Sequence, residues 1–180
     1  PPPFAIPVIS LNPGSQYTFN IWAYDDYGHY TSANAITRTT TVPTPTNLLL
    51  NPQGMRISAT WSAPSGAIPD KYIIVRKQGS APTWTPQNGD EYDTSSLITP
   101  GESIVYSNAG TSFDDDLVSD QKYYYKVFAV YTGNIYSSSI SGSTTAIAEN
   151  PVSFIGTSSA GPAVQVDIGA NPHSYSFKNY

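Results

Sequence analysis

Cysteine is absent from the 180 residues. That excludes disulfide staples, thiolate nucleophiles and Cys-ligated zinc, so any fold must stand on packing alone. It does not exclude secretion. Charge is also scarce. Asp, Glu, Lys and Arg make up 12% of the chain, about half the usual globular share. The thirteen carboxylates outnumber the eight basic side chains, leaving a net charge of −5. That balance argues against nucleic acid as a partner, because binding it takes a basic stripe that displaces counterions. No run of about 18 apolar residues exists, so no segment reads as a membrane-spanning helix. No apolar stretch with a basic flank reads as a signal peptide. Methionine occurs once, as Met55, and the chain starts at Pro1. A processed or excised piece is expected, with any signal upstream. Helix signals are nearly missing, because sixteen Pro and thirteen Gly interrupt the chain and β-branched and aromatic residues dominate between them.

Fourteen Tyr, six Phe and three Trp supply enough apolar area to build a core. The most informative feature is an internal repeat. Leu11-Asn12-Pro13-Gly14-Ser15-Gln16-Tyr17-Thr18-Phe19-Asn20-Ile21-Trp22-Ala23 aligns without gaps on Leu117-Val118-Ser119-Asp120-Gln121-Lys122-Tyr123-Tyr124-Tyr125-Lys126-Val127-Phe128-Ala129, an offset of 106 residues. One such period is close to the length of a seven-stranded sandwich module, roughly 100 residues. After the Tyr both copies alternate, with 17, 19, 21 and 23 on one side and 18, 20, 22 and 24 on the other. Side chains on a strand change face at every residue, so each copy reads as a strand with one buried face. Asp25-Asp26-Tyr27-Gly28 and Tyr131-Thr132-Gly133-Asn134 read as turns, each followed by a Ser/Thr-rich strand, 30–40 and 135–148. Further strands are expected at Thr46–Leu50, Arg56–Trp61, Lys71–Lys77, Ser103–Tyr106 and Thr111–Phe113, seven in all within 43–148.

These residues resemble the fibronectin type III module. That family places a Trp on its second strand, an aromatic-x-aliphatic pair on its third, and a Leu, a Pro-Gly turn and a Tyr at its sixth. The matching residues are Trp61, Tyr72 with Ile74, Leu117 and Tyr123. The second copy departs at the turn, where Ser119-Asp120 stands in place of Pro13-Gly14. The resemblance implies an all-β, immunoglobulin-like seven-stranded β-sandwich. One complete module spans 43–148. Residues 1–42 are expected to be the C-terminal strands of a preceding module, and 149–180 the start of a further β domain. The chain is thus expected to be longer at both ends. The implied structural core is Leu11, Tyr17, Trp61, Tyr72, Ile74, Leu117 and Tyr123. Tyr17 and Tyr123 would each send a hydroxyl back to a backbone group a few residues upstream, the tyrosine corner. Thr41-Val42-Pro43-Thr44-Pro45-Thr46 reads as a stiff linker. Pieces at Val164–Ile168 and Ser174–Tyr180 have strand character. The long segment Lys77–Thr99 is similar to insertions in modules of secreted multidomain proteins from Bacteroidetes-type bacteria.

Catalysis finds no constellation. Neither His29 nor His173 sits in a Gly-x-Ser-x-Gly elbow or a His-Glu-x-x-His helix, and no cofactor is expected. Asp25-Asp26 and Asp114-Asp115-Asp116, with Asp120 near the latter, are the candidate calcium ligands. Ca²⁺ takes 6–8 oxygens, often converging from separate loops, and the sequence lacks the full ligand loop. A linear Asp run is more often a solvated turn that discourages edge pairing, so no metal site is expected. Trp84 and Tyr92 are the ligand-binding candidates. Trp84 stands in a polar, Pro-bracketed loop where a ring is hard to bury, and an exposed aromatic plane can stack on a sugar or anchor a protein. The alternative is that Trp84 folds back over the sandwich. Tyr30 and Tyr136 are weaker candidates, and Trp22 and Tyr24 are placed to stack between modules.

The expected role is therefore non-catalytic: a structural or adhesive segment of a secreted or cell-surface multidomain protein. Its expected partners are neighbouring modules of the same chain and another surface protein or a glycan, with no nucleic acid and no membrane span. Two alternatives are an accessory region of a secreted polysaccharide-degrading enzyme and a phage fibre decoration module.

Overall fold

A computed structural model describes residues 7–116 and 120–146. Every regular element among them is a strand: β1 Gln16–Ile21, β2 Asn34–Thr39, β3 Thr46–Gln53, β4 Arg56–Ser62, β5 Lys71–Gln78, β6 Glu102–Asn108, β7 Ser112–Asp116, β8 Lys122–Tyr131, β9 Ile135–Tyr136 and β10 Ile140–Thr145. All the pairings are antiparallel. One sheet has the order β3-β4-β7. The other has the order β10-β8-β5-β6, with β9 also on β8. Strands β3 to β10 therefore form two facing sheets, seven strands once β9 and β10 are counted as one interrupted strand. The β3–β4 connection is a two-residue turn between Gln53 and Arg56. Gly54 takes a φ of +61° there, which the twist-matched hairpin turns require and other residues adopt only at a cost.

The inner faces bury Ile57, Ala59 and Trp61 of β4 against Tyr72 and Ile74 of β5 and Tyr123, Tyr125, Val127 and Ala129 of β8. Trp61 meets the Tyr72 and Tyr106 rings edge-on at centroid distances of 5.4 and 5.6 Å. Alternation puts these side chains inside, since each occupies every second position of its strand. Leu117 lies outside the described residues, as do Val164–Ile168, Ser174–Tyr180 and His173.

Two expectations change. Asp114–Asp116 is not a turn but the end of β7, held there by pairing with Arg56–Ser58 of β4. The strand expected at 135–148 is broken in two, because Ser137 replaces backbone with side chain. Its Oγ accepts the Ala129 N–H at 2.9 Å and donates to the Ser138 carbonyl at 2.7 Å. Strand β5 is buried on both faces, Ile73 and Val75 as fully as Tyr72 and Ile74, so something covers the outside of its sheet.

The β1–β2 hairpin repeats the β8–β10 hairpin in strand register. Gln16↔Thr39 through Ile21↔Asn34 become Lys122↔Thr145 through Val127↔Ile140 when both partners move by the 106-residue offset. The Tyr24↔Tyr30 bridge becomes Val130↔Tyr136. The Thr31 N–H donates to the Ala23 carbonyl at 2.9 Å, as Ser137 does to Ala129 at 3.0 Å. The Ala23 N–H donates to the Thr31 hydroxyl at 3.0 Å, as Ala129 does to Ser137 at 2.9 Å. The Asn12 N–H donates to the Tyr17 hydroxyl at 2.9 Å, five residues upstream, which is the geometry of a tyrosine corner.

Hairpin and sandwich meet at the Pro13-Gly14 turn. Gly14 has a φ of +65°, and a Cβ placed on it would lie 2.8 Å from Ile135 Cγ2 and 3.1 Å from Val42 Cγ2. Only glycine fits so close an approach. The connecting segment is held as well: Pro45 is fully buried, and the Tyr131 hydroxyl donates to the Pro43 carbonyl at 2.7 Å.

Candidate functional site

The cover over β5 is the segment 79–101 between β5 and β6. It is long, irregular and polar in composition, yet it delivers Trp84, Tyr92 and Ile98 onto a second cluster made of Ile73, Val75, Ile104, Phe128, Val130 and Tyr136. Trp84 packs edge-on against Tyr92 at 4.9 Å and against Phe128 at 6.5 Å, and Tyr92 lies 5.8 Å from Tyr136. Trp84 and Tyr92 are half-buried. Of the two readings of Trp84, the structure has the ring folded back over the sandwich and not left bare in a polar loop. Ile73, Val75, Phe128 and Val130 form an apolar patch on the outer face of β5 and β8, so laying the two rings on it removes both surfaces from water.

One carboxylate fastens the insertion. The side chain of Glu102, at the start of β6, is fully buried. Its Oε1 accepts from Lys77 Nζ at 3.1 Å, from the Thr83 N–H at 2.8 Å and from the Thr83 hydroxyl at 2.9 Å. Its Oε2 accepts from the Trp84 N–H at 3.0 Å. Burial pushes this carboxyl up, but the hydrogen bonds from Thr83, Trp84 and Lys77 outweigh burial and hold it at about 2. The far end of the insertion is tied by the Tyr136 N–H, which donates to Asn88 Oδ1 at 2.9 Å, and by the Tyr136 hydroxyl, which donates to the Asp90 carbonyl at 2.8 Å. Lys71 Nζ adds a bond to the Tyr92 carbonyl at 3.1 Å. Burial is the main reason that the Tyr136 hydroxyl is pushed up to about 12. Sequence reasoning missed Glu102, which carries no motif.

Between this insertion and β9 lies an open cleft of about 460 Å³, bordered by Thr85, Asn88, Phe128, Tyr136, Ser137 and Ser139. Phe128 and Tyr136 are 2% and 7% exposed, so neither ring offers a bare plane for stacking.

The Asp triplet divides between the two sides of β7. Asp115 is buried inside the sandwich, accepting from Arg76 at 2.6 Å and from the Tyr125 hydroxyl at 2.9 Å. Burial, then the Asp115 charge, pushes the Tyr125 hydroxyl well above its usual value. Asp116 and Asp114 face outward and take Arg56 at 2.8 and 3.4 Å. Strand alternation thus prevents the three from converging on one ion. Asp25 closes its own turn, accepting from the Tyr27 and His29 N–H groups at 2.9 Å each and lying 2.8 Å from His29 Nδ1. Those bonds, the His29 backbone first, lower its carboxyl. Among the described residues no group of three or more His, Asp or Glu could hold a metal, and no helix is long and apolar enough to cross a membrane.

Of the residues expected in the core, Trp61, Tyr72, Ile74 and Tyr123 are buried together. Leu11 and Tyr17 are half-buried. Trp22, Tyr24 and Tyr30 stand exposed on the hairpin.

No known sequence family matches the chain, and no curated protein matches it. Solved structures do. A two-domain fibronectin type III segment of chicken tenascin aligns with a TM-score of 0.53 at 18% identity, over 73% of this chain and 65% of that one. A fibronectin type III domain of human collagen XX is 26% identical over 58% of this chain and 92% of its own, with a TM-score of 0.40. The sheet order and the tenascin alignment define the fold as a fibronectin type III β-sandwich.

Proposed function

We propose that the chain is a non-catalytic spacer and interaction segment of a secreted or cell-surface protein built from tandem fibronectin type III modules, in which 1–42 are the late strands of one module and 43–148 the next. The observation that carries this reading is the backbone identity of the two hairpins at a 106-residue offset. A hairpin that repeats the register, the bridge beyond it and the hydroxyl-capped step is a second copy of one unit. Its inner face has the same character. Ile21 is 56% exposed where its counterpart Val127 is buried beneath β4. A lone two-stranded hairpin is marginal in water, so this face belongs under a three-stranded sheet of its own. The tenascin segment, which carries two such domains, covers more of the chain than 43–148 alone occupies. The close approach of Gly14 to Ile135 supports a direct contact between units, as a spacer would use.

Single-molecule stretching of the natural polypeptide tests this. Successive unfolding events should each release roughly 35–38 nm of contour length, at 3.3–3.6 Å per residue over one repeat, less the few nanometres of the folded unit. A trace without equal steps would refute the tandem reading. Protease shaving of intact cells should release fragments of the chain, and their absence would refute surface display.

A further inference from the structure

The outer face of the β1–β2 hairpin is aromatic at three places. Trp22, Tyr24 and Tyr30 are 54%, 74% and 73% exposed, and the Tyr24 and Tyr30 rings lie 5.9 Å apart. The remainder of that face is polar: Thr18 and Thr37 bond through their hydroxyls at 2.9 Å, and Asn20 is exposed. The aromatic character is thus confined to the end nearest the Asp25–Gly28 turn. Moved by the repeat offset, Trp22, Tyr24 and Tyr30 become Phe128, Val130 and Tyr136, which are 2%, 2% and 7% exposed. Those are the residues that the 79–101 insertion covers with Trp84 and Tyr92. The footprint of the insertion in one copy coincides with the bare aromatic patch in the other.

We propose that the Trp22–Tyr24–Tyr30 face is the seat of an insertion of the same kind as 79–101: a loop between the third and fourth strands of the hairpin's own module. It would lay one ring over Trp22 and another beside Tyr30, with an amide acceptor at the place of Asn88 and a carbonyl at that of Asp90. This rests on the reading of the hairpin as the late strands of a module. A generic ligand would not require the polar half of the face to stay polar where the insertion ends.

The absence of cysteine makes the test clean, since Tyr24→Cys introduces a lone thiol. A second copy of residues 43–116 is fused directly ahead of Leu11, so that Asp116 precedes Leu11 as it precedes Leu117. Maleimide labelling of Tyr24→Cys should become about 100-fold slower than in the unfused chain, as expected of a site reached only by local opening. Trp84→Ala with Tyr92→Ala in the added copy should restore fast labelling. A thiol at Phe19→Cys reports the inner face separately. If Phe19→Cys becomes protected while Tyr24→Cys stays fast, the insertion proposal falls and the module reading stands. If both stay fast in a folded fusion, both fall. Should the fusion not fold, Phe128→Trp with Val130→Tyr in the full chain places the first copy's aromatic pair under 79–101. Amide exchange at Thr83 and Trp84 should then stay within about tenfold of the parent, whereas a rise of about 100-fold would mean that the insertion cannot seat on this face, overturning the proposal.

Discussion

Replacing Glu102 by Gln changes one oxygen to an NH2 group and leaves the shape almost untouched. The consequences are nonetheless large. The carboxylate offers two acceptor oxygens to four donors, Lys77 Nζ, the Thr83 N–H and hydroxyl, and the Trp84 N–H. An amide offers one acceptor, and its own N–H groups must face either the Trp84 N–H or the Lys77–Thr83 cluster. At least one buried donor is left without a partner, and hydrogen bonds to charged groups contribute about 1.5–3 kcal/mol each. The same bonds, expressed as the lowering of the carboxyl from 4.5 to about 2, correspond to about 3 kcal/mol, at 1.36 kcal/mol per unit. Lys77 keeps some access to water, its side chain being 22% exposed, so the full cost of a stranded buried cation does not apply. The expected loss for Glu102→Gln is about 3 kcal/mol, a melting point lower by roughly 10–20 °C for a domain of this size.

The pH dependence gives the sharper test. The folded-state value lies below the unfolded one, so Glu102 contributes fully above about pH 4.5 and loses that contribution as pH falls toward 2. The parent chain should therefore weaken across that window by about 3 kcal/mol more than Glu102→Gln does. Asp25 and Asp93, also lowered, are present in both proteins and cancel in the difference. Urea unfolding at several pH values, followed by tryptophan fluorescence, measures it. Parallel acid curves for the two proteins, or a variant within about 0.5 kcal/mol of the parent at pH 7, would refute the fastening role assigned to this carboxylate.

Tyr125→Phe removes the hydroxyl that donates to buried Asp115 and should cost about 1.5–3 kcal/mol in urea unfolding. Asp115→Ala, which strands Arg76 beside the core, should cost more, whereas Asp114→Ala and Asp116→Ala remove only exposed pairs and should cost about 0–1 kcal/mol each. Equal losses along the triplet would contradict the division of the strand into an inner and an outer side. Gly14→Ala puts a Cβ 2.8 Å from Ile135 at a positive φ; proteolysis within 11–40 should accelerate while the melting of the sandwich stays put, and unchanged proteolysis would show that the contact does not hold the hairpin. Tyr17→Phe deletes the acceptor for the Asn12 N–H and should raise amide exchange at Asn12 with about 1 kcal/mol of local destabilisation, which an unaltered exchange rate would rule out.

What could be read from the residues follows from which signals are local. The inner face of β8 alternates from Tyr123 to Ala129, and the same pattern recurs from Tyr17, so strands and repeat are both visible in the letters. The second cluster is not, because its halves are far apart in the chain. Trp84 and Tyr92 sit in a stretch of Pro, Thr, Gln and Asn that resembles any exposed loop. The informative signal lay elsewhere, in the strands beneath them. Tyr72-Ile73-Ile74-Val75 and Val127-Phe128-Ala129-Val130 are apolar without alternation, and a strand apolar on both faces requires cover on both. A sandwich supplies only one cover. The unmatched face demands a second, and among the described residues the long segment 79–101 supplies it. Glu102 is legible only after that step, since nothing about a single Glu before an apolar strand distinguishes an exposed end from a buried anchor. Its role comes from the donors that the fold brings to it. The same logic turned on the hairpin bears on the patch at Trp22, Tyr24 and Tyr30: at the end of β1 and beyond it, Ile21 and Ala23 on one face and Trp22 and Tyr24 on the other are all apolar, and each face calls for its own cover.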